Sequence, residues 1–247
     1  MLGHPPYYHK HIRRYVSLFG TLFNDISIIR EDSAGNTKTI KVPLAYANKD
    51  KALARLTQDP ELANTWGTSL PRMAFSMGTP QYDPSRKTNS ILQAKKSVDG
   101  DWVTTQYAPA PYNISFDLSI WVQYFEDGAQ IIEQILPFFQ PEFTVNAKEV
   151  PVLDIERDIH IVLDSVSLED DAIGEFQQTR LIEWTLSFTL KGYFFGPVHD
   201  HGVIKRAMAN TYFTPDFTDP VSQYEARVDP LTAGANDPHE IIETRSD

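Results

Sequence analysis

The sequence predicts an α+β fold in which a few helices flank a β-sheet, mainly antiparallel or mixed. Three observations carry that expectation. Two long segments alternate apolar and polar side chains with period two. Strand-like segments outnumber helical ones and arrive in adjacent pairs. No regular βαβα alternation runs along the chain, and no repeat recurs at a fixed spacing.

The first element is an amphipathic helix over residues 9–23, HKHIRRYVSLFGTLF. Ile12, Tyr15, Val16, Phe19, Leu22 and Phe23 fall on one face, with Lys10, Arg13 and Arg14 elsewhere. DISIIRE and KTIKVPL then flank a turn at Gly35-Asn36, a hairpin signal that puts Ile40, Val42 and Leu44 on one face. NKDKALARLTQ predicts a short helix capped by Asn48 or Asp50. PRMAFSM predicts a short strand in which Met73, Phe75 and Met77 alternate. Residues 78–101 lack a period and carry two Pro, two Gly and several Lys and Arg. They predict a long loop, read as a partner-contacting arm in preference to plain disorder.

The strongest pattern is YNISFDLSIWVQY. Its even positions, Tyr112 to Tyr124, are apolar or aromatic and its odd positions polar, with Trp121 the exception. One dry and one polar face suit an antiparallel sheet. A helix over Glu126 to Leu136 follows, with Asp127 as its expected N-cap. Strands at FTVNA, RDIHIVLDSVSL and RLIEWTLSFTLKGYFF complete the set. In the last, Ile182, Trp184, Leu186, Phe188 and Leu190 alternate with polar residues. Beyond Gly196 the chain is acidic and rich in Pro. The expected organisation is one domain over 1–196 and an extended, partly disordered arm over 197–247.

The 247 residues include no cysteine, which excludes a disulfide framework, a Cys-ligated zinc site and a thiol nucleophile. The formal charge of −11 argues against broad contact with nucleic-acid phosphates or anionic membranes. No apolar run is long enough to cross a bilayer, and MLGHPPYYHKHIRRY lacks the apolar region of a signal peptide. The His199–His201 pair has no accompanying carboxylate cluster and reads as a solvated turn. His9 and His11 stand at a helix start, and His160 falls on the polar face of a strand. Glu169, Asp170 and Asp171 lack the spacing of a calcium loop. GxxxxGK[ST], GxGxxG and GxSxG are all missing. No enzyme, cofactor or metal site is expected.

The stretch IIEQILPFFQP starts as a helix that Pro137 breaks, with Phe138 and Phe139 directly behind. Two readings stand. The phenylalanines fill the core, or the Pro-fixed corner PFFQPEF shows aromatics to a partner. Adjacent residues point different ways, so the expected compromise is one ring inward and one outward.

EQILPFFQPEF resembles a signature of the tail sheath stabiliser and tail completion proteins of T-even-like contractile-tailed phages. RRYVSLFGTLFNDISI, IKVPLAYANKDK, LPRMAF, RKTN, QYAPAP, LSIWVQYFEDGAQIIEQILPFFQP, RDIHIVL and RLIEWTLSFTLKGYFFGPV continue the likeness in order, over roughly residues 13 to 198. It thins over the first dozen residues, at 78–83 and 90–101, and beyond Val198.

The resemblance implies a structural virion protein of the tail-neck junction, assembled in the host cytoplasm, with no cofactor and no membrane partner. It implies a homo-hexameric ring with a tail-terminator-like fold. That ring caps the last disc of tail sheath protein, meets the tail tube terminator and presents a surface to neck and head-completion proteins. DNA passes through its channel without sequence-specific binding. Six copies would carry about −66, and acids lining the channel would repel passing DNA. Three alternatives remain: another neck ring (tube terminator or head-completion/connector protein), an enzyme of unknown type using His199 and His201, and an adaptor for a host protein. On the ring reading the interface candidates are Arg13 and Arg14 on the first helix and Arg86 and Lys87 in the long loop. Phe138, Phe139 and Pro141 at the corner join them, with Arg157 and Arg180 at strand starts. For each Arg, an ordinary surface charge is the alternative.

Overall fold

The period-two pattern becomes burial along β7 (Ala110–Val122), where Ile114, Phe116, Leu118, Ile120 and Val122 are all fully buried. The computed structural model describes residues 6–31, 35–52, 70–99, 102–140, 142–171, 181–212, 220–233 and 237–246. The chain is α+β, and it divides into two compact units.

The first unit comprises Met1–Lys87, Ala110–Glu149 and Ile155–Phe194. Helix α1 (His11–Leu22) leads into a hairpin of β1 (Ser27–Glu31) and β2 (Thr37–Lys41). The main sheet has six strands, beginning with β3 (Leu44–Tyr46), β4 (Arg72–Tyr82) and β7. It continues through β10 (Leu181–Phe194), β9 (Ile155–Asp171) and the edge strand β8 (Glu142–Val150). β3 runs parallel to β4, while β4, β7, β10 and β9 pair antiparallel, so the sheet is mixed, with a parallel pair at its β3 edge.

The apolar stripe of α1 lies on the dry face of this sheet. Phe19 is fully buried and meets the rings of Phe23, Phe75, Phe116 and Phe188 at 4.5 to 5.4 Å between centroids. Helix α2 (Phe125–Ile135) adds Ile131, Ile132 and Ile135 to the same core. Gly128 lets α2 approach β10, since a Cβ there would stand 2.6 Å from Trp184 Nε1. Gly128→Val should cost about 1–3 kcal/mol, read as a lower urea midpoint with an unchanged m-value.

Asp127 does not cap α2. The N-cap position is Tyr124 and makes no side-chain cap, while Asp127 is buried and pairs in two places with Arg30. A forked guanidinium partner on β1 outcompetes the helix's own N–H groups. Trp121 is fully buried in a small cluster with Ala52 and Ala74, on the face expected to be polar. The expected helix at 48–58 is described only for its first turn, 49–52, where the Ala52 N–H donates to the Asn48 carbonyl.

The second unit comprises Thr88–Pro109, Val150–Asp154 and Phe195–Asp247. It holds a sheet of β5 (Gln93–Asp99), β6 (Trp102–Tyr107) and β11 (His199–Gly202). A second sheet joins β12 (Arg206–Tyr212), β13 (Pro220–Asp229) and β14 (Glu240–Ser246). The stretch 78–101 is thus not one loop: 78–82 finish β4, and β5 forms its far end. The described part of the acidic C-terminal stretch is likewise strand over most of its length. Register puts Ala207, Ala209, Tyr224, Ala226, Val228 and Ile241 on one face of the last sheet. Tyr224 and Ile241 are nonetheless exposed there.

Candidate protein-contact site

The break at Pro137 is a single 3-10 turn, Leu136–Phe138, continuing α2. The Phe139 N–H donates to the Leu136 carbonyl at 3.1 Å, which sets the two phenylalanines on opposite sides of the turn. Phe139 packs on the core, with ring centroids 5.1 Å from Phe188, 6.0 Å from Phe143 and 6.4 Å from Phe23. Phe138 is 64% exposed.

Beside Phe138 lies an open groove of about 640 Å³. Its apolar walls include Leu22, Phe23, Ile26, Ile135, Phe139 and Phe143. Asp25 and Glu133 supply its charged groups. Asp25 pairs with Lys41 at 2.9 Å. Glu133 has no ion partner among the described residues.

Polar stitching fixes the groove's helical wall. Gln130 Oε1 accepts from the Ile29 N–H at 2.9 Å, and its Nε2 donates to the Ile29 carbonyl at 3.1 Å. Gln134 Nε2 donates to the Ser27 carbonyl at 2.8 Å. Two amides thereby serve the backbone of β1 as a neighbouring strand would. The Arg30–Asp127 pair closes the same seam and raises the Arg30 pKa, chiefly through that hydrogen bond.

At the other end of α1, several arginine candidates are already engaged. Arg14 Nη1 donates to the Lys148 and Glu149 carbonyls at 2.7 and 2.6 Å. Arg86 donates from Nε to Asp83 at 2.8 Å and from Nη2 to Asn113 at 2.8 Å and the Tyr112 carbonyl at 3.1 Å. The Ser85 hydroxyl and then Arg86 hold the Asp83 carboxyl far below the usual carboxylate range. Arg86 and Arg157 converge on the Tyr193 ring, 5.1 and 4.8 Å from its centroid. Arg13 and Lys87 are exposed. Pro141 and Arg180 lie outside the described residues.

Between Arg14 and Tyr193 sits a buried polar hub. His11 Nδ1 is 2.8 Å from Glu149 Oε2, with the side chains 6% and 1% exposed. The Tyr15 hydroxyl lies 2.7 Å from the Tyr193 carbonyl and 2.9 Å from Glu149 Oε1, and accepts the Tyr193 N–H at 2.8 Å. Burial first, and then the Glu149 charge, push the Tyr15 phenol far above its ordinary 10.0. A raised folded pKa stabilises fully below the unfolded value and loses that stability as pH rises above it. Unfolding midpoints should therefore fall as pH climbs past about 10, where the unfolded tyrosine ionises, and Tyr15→Phe should flatten that slope.

His199 and His201 are exposed on β11, which pairs with β6, and not in the expected turn. His160 pairs with Glu142 at 3.0 Å. Among the described residues no three His, Asp or Glu side chains gather as a metal site.

The sequence pointed to the corner through PFFQPEF, Phe143 included, but gave no notice of Ile26 and Glu133. Glu133 on the outward face of an amphipathic helix was the available signal; Ile26 joins the groove only in the fold.

A model of the T4-like virus Myoviridae tail sheath stabiliser family matches residues 6–247. The chain is also 36% identical over 222 residues to the tail completion protein gp15 of Enterobacteria phage T4. That alignment covers 85% of this chain and 81% of the T4 protein.

Proposed function

The chain belongs to the T4-like tail sheath stabiliser family, a family of structural phage tail proteins, and on that premise we propose that it completes the head-proximal end of a contractile tail. Six copies form a ring on the last disc of sheath. The ring holds the extended sheath in register, meets the tube terminator and offers a landing surface to neck proteins of the filled head. Its role is structural and requires no cofactor.

The observation that carries this reading is the extent of the family match, residues 6–247, which takes in both compact units. The surface is compatible with it. Phe138 and Ile241 stand exposed beside apolar neighbours, as residues awaiting a partner do. The edge strand β8 offers a backbone ladder to an added strand. Arg13 and Lys87 serve as exposed cations toward acidic partners, while Arg14 and Arg86 shape the fold beneath them.

The decisive experiment adds purified protein to sheathed tails that lack their cap. Electron micrographs should show density only at the open sheath end, and capped tails should keep their extended length where bare ones shorten. Uniform decoration of tube or sheath, or none, would overturn the reading.

A further inference from the structure

The groove beside Phe138 has a complement elsewhere on the same chain. Ile91 and Leu92 are 78% and 61% exposed, among the most exposed large apolar side chains described. They stand at a tight turn that is held in shape: the Ile91 N–H donates to Asn89 Oδ1 at 3.0 Å and the Leu92 N–H to the Asn89 carbonyl at 3.2 Å. The Leu92 carbonyl accepts from the Ala108 N–H at 2.8 Å, which fixes the turn to its neighbouring chain. Lys87, Lys95 and Lys96 surround this apolar tip in sequence, all exposed and none with an ion partner among the described residues.

Groove and tip match in each property that can be read from one copy. The groove is apolar, about 640 Å³, and bordered by Glu133, which has no counter-ion among the described residues. Clefts of about 300–1,000 Å³ suit ligands of a few side chains, here an Ile-Leu pair. The tip is apolar and bordered by lysines that have no counter-ions among the described residues. Both are held by hydrogen bonds before any contact forms, which lowers the ordering cost of association.

We propose that the groove of one copy receives the Ile91-Leu92 tip of the next, with Glu133 facing the lysines of that tip. This rests on the ring reading and names one of its subunit contacts. The two surfaces are different, so the contact is head-to-tail. Such contacts repeat from copy to copy and close into a ring when the rotation permits. The charges set direction, because a tip facing a tip, or a groove facing a groove, juxtaposes like charges.

The absence of native cysteine makes the test clean, because introduced thiols are the only ones. Gln140→Cys and Ser90→Cys put thiols on exposed residues beside the groove and beside the tip, leaving Phe138 and Ile91 intact. The double variant, bound to uncapped tails and treated with a short bismaleimide, should give a ladder of covalent multimers. Either single variant should stop at dimers. Adding Glu133→Lys should slow the ladder at least about tenfold, and Lys95→Glu or Lys96→Glu should then restore it. Glu31→Lys, an equal change of charge on an exposed residue of the same unit that does not line the groove, should leave the rate alone.

If the double variant caps tails yet gives no ladder, the groove contact is wrong and the capping role stands. Charge reversal restored by neither lysine variant also overturns the contact. If the unsubstituted chain itself never binds tail ends, the functional reading falls, independently of the cross-link.

Discussion

Phe19→Ala should cost about 3–5 kcal/mol, the top of the range for a single apolar truncation. Phe19 is fully buried and is where helix α1 meets β4, β7 and β10, through Phe75, Phe116 and Phe188. The Phe116 ring stacks on it at 4.5 Å, nearly parallel at 12°. Four rings surround the site, and rigid aromatics on strands and helix collapse poorly into a void. The cost should therefore sit toward the upper part of that range. Urea denaturation followed by tryptophan fluorescence reads it directly, and a loss below about 1 kcal/mol would mean that this core is not packed as described.

Glu149→Ala should destabilise by about 3–5 kcal/mol, the cost of breaking a buried pair by removing one partner. Glu149 is 1% exposed and faces His11 and Tyr15 together. Its loss leaves both partners buried, with His11 lacking its carboxylate. Glu149→Gln keeps the shape and a hydrogen bond, so it should cost less. A double-mutant cycle with His11→Ala should return a coupling of about 0.5–3 kcal/mol. If the two losses simply add, the 2.8 Å contact contributes nothing to stability.

The sheet was legible wherever one of its faces is dry. β7 and β10 alternate because their inward residues meet α1 and α2 while their outward residues face water. Trp121 broke the pattern because the chain near Ala52 folds back over that end of the polar face, a tertiary event with no local signal. Strands β11 to β14 went unread for the opposite reason. Their side chains are exposed on most positions, so no period separates inside from outside. Pro220 at the start of β13, tolerable at a strand's first residue, reads locally as a loop signal.

The contact site divides along similar lines. Doubled phenylalanine behind a proline announced a corner with one ring in and one out, and Phe139 and Phe138 take those places. The arginines gave no such sign. Arg14 donates to two backbone carbonyls distant in sequence, and Arg86 reaches the Tyr112 carbonyl and Asn113 besides its near neighbour Asp83; no spacing rule anticipates the distant contacts. Side chains so committed are poor candidates for adaptable recognition, whereas exposed Arg13 and Lys87 keep their rotamer freedom until a partner arrives.

The hub at Tyr15 has a mechanical consequence. One hydroxyl reaches the Tyr193 backbone on β10 and Glu149 at the end of β8, while His11 and Arg14 grip the same end of β8 from α1. A pull on the chain ahead of His11 is therefore spread over an edge strand and an interior strand at once, and these bonds must yield together. Tension entering through the first helix would reach the middle of the sheet before it could peel any strand from the edge.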